Sequence, residues 1–142
     1  LYLSLFHHLN ISIKIDDDSD LLTTTKSYSN VFRVLYNASY LNKNFSESAL
    51  EILTQSKYDK GLIAGTPKNI LVAHKYGERS IENKIVVQGS SGLKQLHECG
   101  IVYHPLRPYI ICIMTKGYNF NDLADSIKDI ALLIYNQINS NK

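Results

Sequence analysis

Between Tyr28 and Leu41 the apolar residues Val31, Val34, Leu35, Ala38 and Leu41 recur at intervals of three and four, the period of one helix face. The segment predicts an amphipathic helix. Thr23, Thr24, Thr25 and Ser27 lie at its start and offer side-chain oxygens to the unpaired amides of the first turn. Ser46 is a second cap candidate, opening a helix that carries Ala49, Leu50 and Leu53, so residues up to about 58 read as mainly helical, with a helical hairpin. Gly61, Gly65 and Pro67 then mark a loop, and beyond them the period changes to that of strands. The strands are expected at Ile70–Tyr76, Gly100–Tyr103 and Tyr109–Thr115. The last two are joined by His104-Pro105-Leu106-Arg107-Pro108, a connection whose prolines suit a turn between antiparallel partners. Glu78 to Leu96, with Gly89-Ser90-Ser91-Gly92 inside it, shows no period and is expected to be a mobile loop. Asn119 and Asn121 are cap candidates for a final helix in which Leu123, Ile127, Ile130, Ile134 and Ile138 recur at four, three, four and four. Such a helix after an antiparallel hairpin buries its stripe on one sheet face, which makes the expected fold class α+β.

Composition narrows the function classes. A chain of 142 residues with 44% hydrophobic and 20% charged positions has the size and make-up of one folded domain, so a disordered tail is excluded. Its densest apolar run, Tyr109 to Met114, is far short of the roughly 20 residues that cross a bilayer. A net charge of +2, spread along the chain, lacks the clustered basic excess of a nucleic-acid binder, and no nucleic-acid partner is expected. The chain opens on Leu1, and Leu1 to Asn10 holds neither a basic leader nor a small-residue cleavage site, so it reads as beginning inside a longer protein. Cys99 and Cys112 fall on neighbouring predicted strands. They read as packed, unpaired thiols, because only directly facing positions bring two Cβ atoms within bridging range.

Three features look chemical but have simpler readings. Asp16-Asp17-Asp18-Ser19-Asp20 is taken as a solvated turn, since clustered carboxylates repel and seek water, and neither the glycine nor the later glutamate of a calcium loop follows. His7 and His8 are adjacent, so on a helix they point about 100 degrees apart and cannot chelate one ion together. His74, His97 and His104 are scattered over strands and a turn, and no metal site is expected.

The most informative run is Ala73-His74-Lys75-Tyr76-Gly77-Glu78 at a strand end, where an ammonium can project into a cleft and a glycine admits close approach of the main chain. It stands in a longer order of segments: Phe32 to Leu41, Ser46 to Leu53, Gly61-Leu62-Ile63-Ala64-Gly65-Thr66-Pro67, the Lys75 run, His97-Glu98-Cys99-Gly100-Ile101-Val102-Tyr103, and Pro108 to Thr115. From about Thr23 onward this order resembles the C-terminal half of a serine hydrolase of the class A β-lactamase-like group, within the penicillin-recognising superfamily. Of that group's three cleft motifs, Ser-x-x-Lys, Ser-Asp-Asn and Lys-Thr-Gly, only the third has a counterpart, Lys75-Tyr76-Gly77. Tyr76 stands where the family carries a small hydroxyl that bonds a substrate carboxylate.

The resemblance implies a single incomplete domain over residues 1–142, its sheet and C-terminal helix in about residues 59–142. It also implies acyl transfer by a serine outside this chain, without metal or organic cofactor. Lys75, Tyr76, Gly77 and Glu78 would bind substrate, Glu78 lending its N–H to the oxyanion hole. His97 would be the basic residue facing an anionic group. Substrates would be β-lactams or peptidoglycan-like amides, met outside the cytoplasm. Rival readings are a penicillin-binding peptidase, favoured because no Glu-x-x-Asn deacylation pattern occurs, and a non-catalytic binding remnant. Ser91-Gly92-Leu93-Lys94 spells Ser-x-x-Lys but follows the Lys75 motif and lies in a glycine-rich loop, so it reads as a coincidence. In the family the sheet has five strands, two of them from the preceding half beside the last strand. The edge of Tyr109–Thr115 should therefore be unpaired here and invite association with another chain.

Overall fold

The computed structural model describes residues 2–9, 11–15, 21–81 and 92–140. In chain order the elements are α1 (Tyr2–His8), β1 (Lys14–Ile15), β2 (Leu21–Leu22), α2 (Thr25–Tyr36), α3 (Lys43–Thr54), α4 (Gly61–Ala64), β3 (Val72–Ile81), β4 (Leu93–Val102), β5 (Tyr109–Gly117) and α5 (Phe120–Ser140). β1 and β2 form a small antiparallel ribbon, while β3, β4 and β5 form an antiparallel sheet in that order. Side chains alternate across this sheet. Ala73, Cys99 and Ile101 meet Phe32 of α2 and Leu50 of α3 on one face. Val72, Leu96, Val102 and Ile111 meet Leu62 of α4 and Leu123, Ile127 and Ala131 of α5 on the other. The α+β expectation holds, with the helical hairpin and the C-terminal helix on opposite faces.

Local chemistry sets the helix ends. Thr24 caps α2, its side chain accepting from the Ser27 N–H at 3.1 Å. The helix stops at Tyr36, five residues before the expected Leu41. Ala38 adopts φ 48°, and its N–H bonds the Leu35 carbonyl while that of Ser39 bonds Val34, a left-handed closure that turns the chain away. α3 is capped by Asn42, which accepts from the Phe45 N–H at 3.0 Å, and not by Ser46. Ser46 is buried within the helix, and its hydroxyl turns back to the Leu41 carbonyl. The Gly61–Pro67 loop contains the single turn α4. In α5 the buried stripe runs Leu123, Ala124, Ile127, Ala131, and Ile130 is 41% exposed. The expected stripe took Ile130, but the smaller neighbouring Ala131 is the one placed inward, beside Gly65 at the end of α4.

The strands are longer than their apolar residues suggest. β3 and β4 pair without interruption from Val72↔Val102 to Ile81↔Leu93, so Glu78–Ile81 and Leu93–Leu96 belong to the sheet and not to a loop. Polar side chains such as Glu78, Ser80 and Gln95 hid this from periodicity: Leu96 still reaches the core, and the main-chain pairing carries the hairpin beyond it. Residues 82–91, with Ser91 of the Ser-x-x-Lys spelling, lie outside the described residues, as does the acidic run 16–20. Lys94 lies on β4. β5 has β4 on one side and no strand on the other among the described residues, as expected for Tyr109–Thr115. Of its apolar residues, Ile111 is buried under α5 and only Met114 counts as exposed.

The two cysteines correct the expectation of unpaired thiols. Cys99 and Cys112 face each other in the β4–β5 register with Cα atoms 4.0 Å apart, and a disulfide joins them. A turn centred half a residue later would set Cys99 opposite Ile113 and send every β5 side chain to the other face. Turn geometry, which composition does not specify, decides the bridge.

Ala38 pays the steric cost of a left-handed residue without being glycine. Ala38→Gly is therefore expected to stabilise the fold by about 1 kcal/mol, read as a raised urea midpoint with unchanged slope.

Candidate active site

The cysteine pair orients the backbone of β3. A Cα separation of 4.0 Å marks Cys99↔Cys112 as a pair that exchanges no main-chain bonds, so the N–H and C=O of Cys99 point the other way, toward β3. They meet Lys75, the Cys99 partner in the β3–β4 register. The main-chain groups of Tyr76 and Glu78, one residue out of phase, therefore point away from β4, to the side of β3 that no strand covers among the described residues. The Tyr76 carbonyl accordingly accepts from a side chain, the Lys75 ammonium. The Glu78 N–H faces the same open side.

The residues singled out in the sequence gather around this edge. Lys75 and Glu78 are exposed, and Tyr76 and Gly77 lie half-buried between them. His97 stands opposite Gly77 on β4. A Cβ on Gly77 would fall 2.3 Å from His97 Nε2, so this glycine is needed to seat the imidazole over the strand. Tyr28 of α2 holds the other side of that ring, edge-on with centroids 5.7 Å apart, and its hydroxyl donates to the Lys75 carbonyl at 3.5 Å. Burial of the ring, then the neighbouring Lys75 ammonium, hold the His97 pKa below the ordinary 6.5. At neutral pH the ring is uncharged, so the positive charge of this strand comes from Lys75 and, further along, Arg79.

Beneath the edge lies a buried polar node that the sequence reading missed. His74 Nδ1 is 2.6 Å from Glu98 Oε1, both side chains fully buried, and Glu98 Oε2 accepts from the Leu62 N–H of α4 at 2.9 Å. Gly61, at φ 55°, makes room for the carboxylate: a Cβ there would lie 2.0 Å from Oε2. One carboxylate thus ties β3, β4 and α4 together directly behind Lys75. Glu98 sat between His97 and Cys99 as the one acid in a strand otherwise bound for the core, a signal that was legible only as an anomaly. Tyr58, before α4, was also missed. Its ring stacks on Tyr76 with centroids 4.0 Å apart and planes within 15°. Among the described residues no group of three His, Cys, Asp or Glu side chains is placed to hold a metal ion.

Residues 6–138 match the family model described as the β-lactamase enzyme family. Among solved structures, a class A β-lactamase from Bacteroides cellulosilyticus aligns with TM-score 0.78 at 16% identity, over 97% of this chain and 53% of that one. The protein PBP-A aligns with TM-score 0.76 at 16% identity, over 97% and 50%. A PBP-A point mutant, held as an acyl-enzyme complex with penicillin G, aligns with TM-score 0.74 at 14% identity over the same shares. The chain therefore spans about half the length of these structures. No curated protein matches it in sequence.

Glu98→Ala should cost about 3–5 kcal/mol in chemical denaturation, because it strands a buried imidazole and the Leu62 amide together. His97 gives a pH signature with a fixed sign. Its folded pKa is depressed, so below pH 6.5 the unfolded chain takes up the proton first, and stability falls as pH drops from 6.5 to the folded midpoint. An NMR titration should place that midpoint below 6.5, and Lys75→Met should raise it only partway back, since burial remains.

Proposed function

The chain belongs to the β-lactamase enzyme family, and from that premise we propose that it is the C-terminal portion of a serine hydrolase acting on β-lactam or related amide bonds through an acyl-enzyme. The observation that carries this reading is the free edge of β3, where an exposed lysine and an outward amide stand side by side. In the proposed reaction a serine Oγ from the other half of the fold attacks the amide carbonyl carbon, the C–N bond breaks, and water later releases the acyl group. The Glu78 N–H donates to the oxyanion, together with the amide of the nucleophilic serine. Lys75 holds the substrate carboxylate. Tyr76 and Gly77 shape the strand against it, and neutral His97 offers a hydrogen bond in place of a second charge. Acyl transfer of this kind asks for no metal or organic cofactor.

The proposed location is outside the cytoplasm. A cross-strand disulfide between Cys99 and Cys112 supports this, because such bridges persist in oxidising compartments. The unpaired edge of Tyr109–Thr115 is the proposed route of association with another chain. A penicillin-binding peptidase is the second reading. It is favoured by the lack of a Glu-x-x-Asn pattern ahead of α2, which leaves no assigned base for rapid deacylation.

The test is acylation of the intact protein by a labelled penicillin, followed by mass spectrometry. A single adduct on a serine outside residues 1–142 is expected, and none on this chain expressed alone. Lys75→Ala should slow acylation by about 10- to 100-fold, the worth of one charge-assisted hydrogen bond, while Arg33→Ala on α2 leaves it within about twofold. Fast release of the adduct marks a β-lactamase and slow release a peptidase. An adduct on Ser91, or equal effects of the two substitutions, overturns the assignment, and no adduct at all leaves a binding remnant of the fold.

A further inference from the structure

We infer that Tyr58 is a positioning residue for the Lys75 ammonium, acting through the ring of Tyr76. The inference rests on the acyl-transfer reading for its kinetic consequence only. Neighbouring side chains on a strand point to opposite faces, so Lys75 and Tyr76 should diverge. Here the lysine instead curls round the free side of β3. Its Nζ donates to the Tyr76 carbonyl and lies 4.8 Å from the centroid of the Tyr76 ring. This is open to Lys75 because no strand covers that side of β3 among the described residues.

The Tyr76 ring is half-buried and packs against the core cluster that contains Leu62 and Ile127. Tyr58 adds a second support. Its ring stacks on Tyr76 with centroids 4.0 Å apart and planes 15° from parallel. Tyr58 belongs to the segment between α3 and α4, and α4 is itself tied to the sheet by Glu98 through the Leu62 N–H. The ring that carries the ammonium is therefore backed by an anchored part of the fold. Burial, then the carboxylates of Glu98 and Glu78, push the Tyr58 pKa up to about 12. The phenol stays neutral at working pH, and so does not become an anion that draws Lys75 away from the edge.

Where the Lys-Thr-Gly pattern has a small hydroxyl beside the lysine, this chain carries an aromatic pair that pre-places the cation. The substrate feature it serves is a carboxylate. Ligands lacking that group should not sense Tyr58.

The test uses the intact protein with Tyr58→Ala, Tyr58→Leu and Tyr58→Phe. NMR of the Lys75 side-chain methylenes reads its place over the Tyr76 ring independently of any chemistry. An upfield ring-current shift is expected in the wild type and in Tyr58→Phe, and it should shrink in Tyr58→Ala and in Tyr58→Leu, which keeps apolar bulk but has no ring. Acylation by a carboxylate-bearing penicillin should fall about two- to fivefold in Ala and Leu, through weaker binding, and recover in Phe. The methyl ester of the same penicillin should react equally with all four proteins. A wild type without the ring-current shift, a shift that survives in both Ala and Leu, or an ester as sensitive as the acid overturns the inference. If no penicillin acylates the wild type, the acyl-transfer reading fails, and the NMR arm still decides the role of Tyr58.

Discussion

A single buried carboxylate, Glu98, organises the region on which function is proposed. It has no solvent, and its two oxygens are used by His74 of β3 and by the first turn of α4. Burying an acid is costly unless partners replace water, so the three elements are held to one arrangement: any shift of β3 against β4, or of α4 against the sheet, leaves a polar group stranded. Gly61 shows how tightly this is built, since a methyl group at its position would overlap the carboxylate. Lys75 follows His74 immediately, which makes its strand the best-fixed part of an otherwise exposed edge.

The disulfide acts through register rather than through the site itself. In the register that the bridge fastens, Cys99 and Cys112 stand face to face without main-chain bonds, the Cys99 backbone points to Lys75, and the Tyr76 and Glu78 backbone turns outward. Strand parity is all-or-none. Had β4 slipped by one residue, Lys75 would have faced α4, and the outward amide would have belonged to a different residue.

Charge at the edge is set by burial. His97 is lodged between Gly77 and Tyr28, where desolvation and Lys75 both oppose a second positive charge. Lys75 and, further along β3, Arg79 supply the positive charge, and the Tyr58 phenol beside them stays neutral. Such an edge presents a carboxylate with a point of attachment and presents a carbonyl oxygen with a main-chain donor.

The main elements α2, α3, β3, β4, β5 and α5 and their order were legible in the sequence, as was the resemblance to the family, whereas α1, the β1–β2 ribbon and the single turn α4 were not. Apolar spacing in α2, α5 and the strand cores reports burial on one face, and burial is what hydrophobic patterning encodes. The resemblance grouped Lys75, Tyr76, Gly77, Glu78 and His97 at one site, although the expected strands ended at Tyr76 and resumed only at Gly100. Features that depend on register and on distant partners were not legible in the sequence. Examples are the bridge between Cys99 and Cys112, the extension of β3 and β4 through polar residues, the pairing of Glu98 with His74 and Leu62, and the stacking of Tyr58 on Tyr76. Each of these joins residues whose separation along the chain carries no period, so no local pattern could announce it. The first two were fixed by the turns between strands, the third by the need of a buried polar group for partners, and the last by the approach of the segment before α4 to β3.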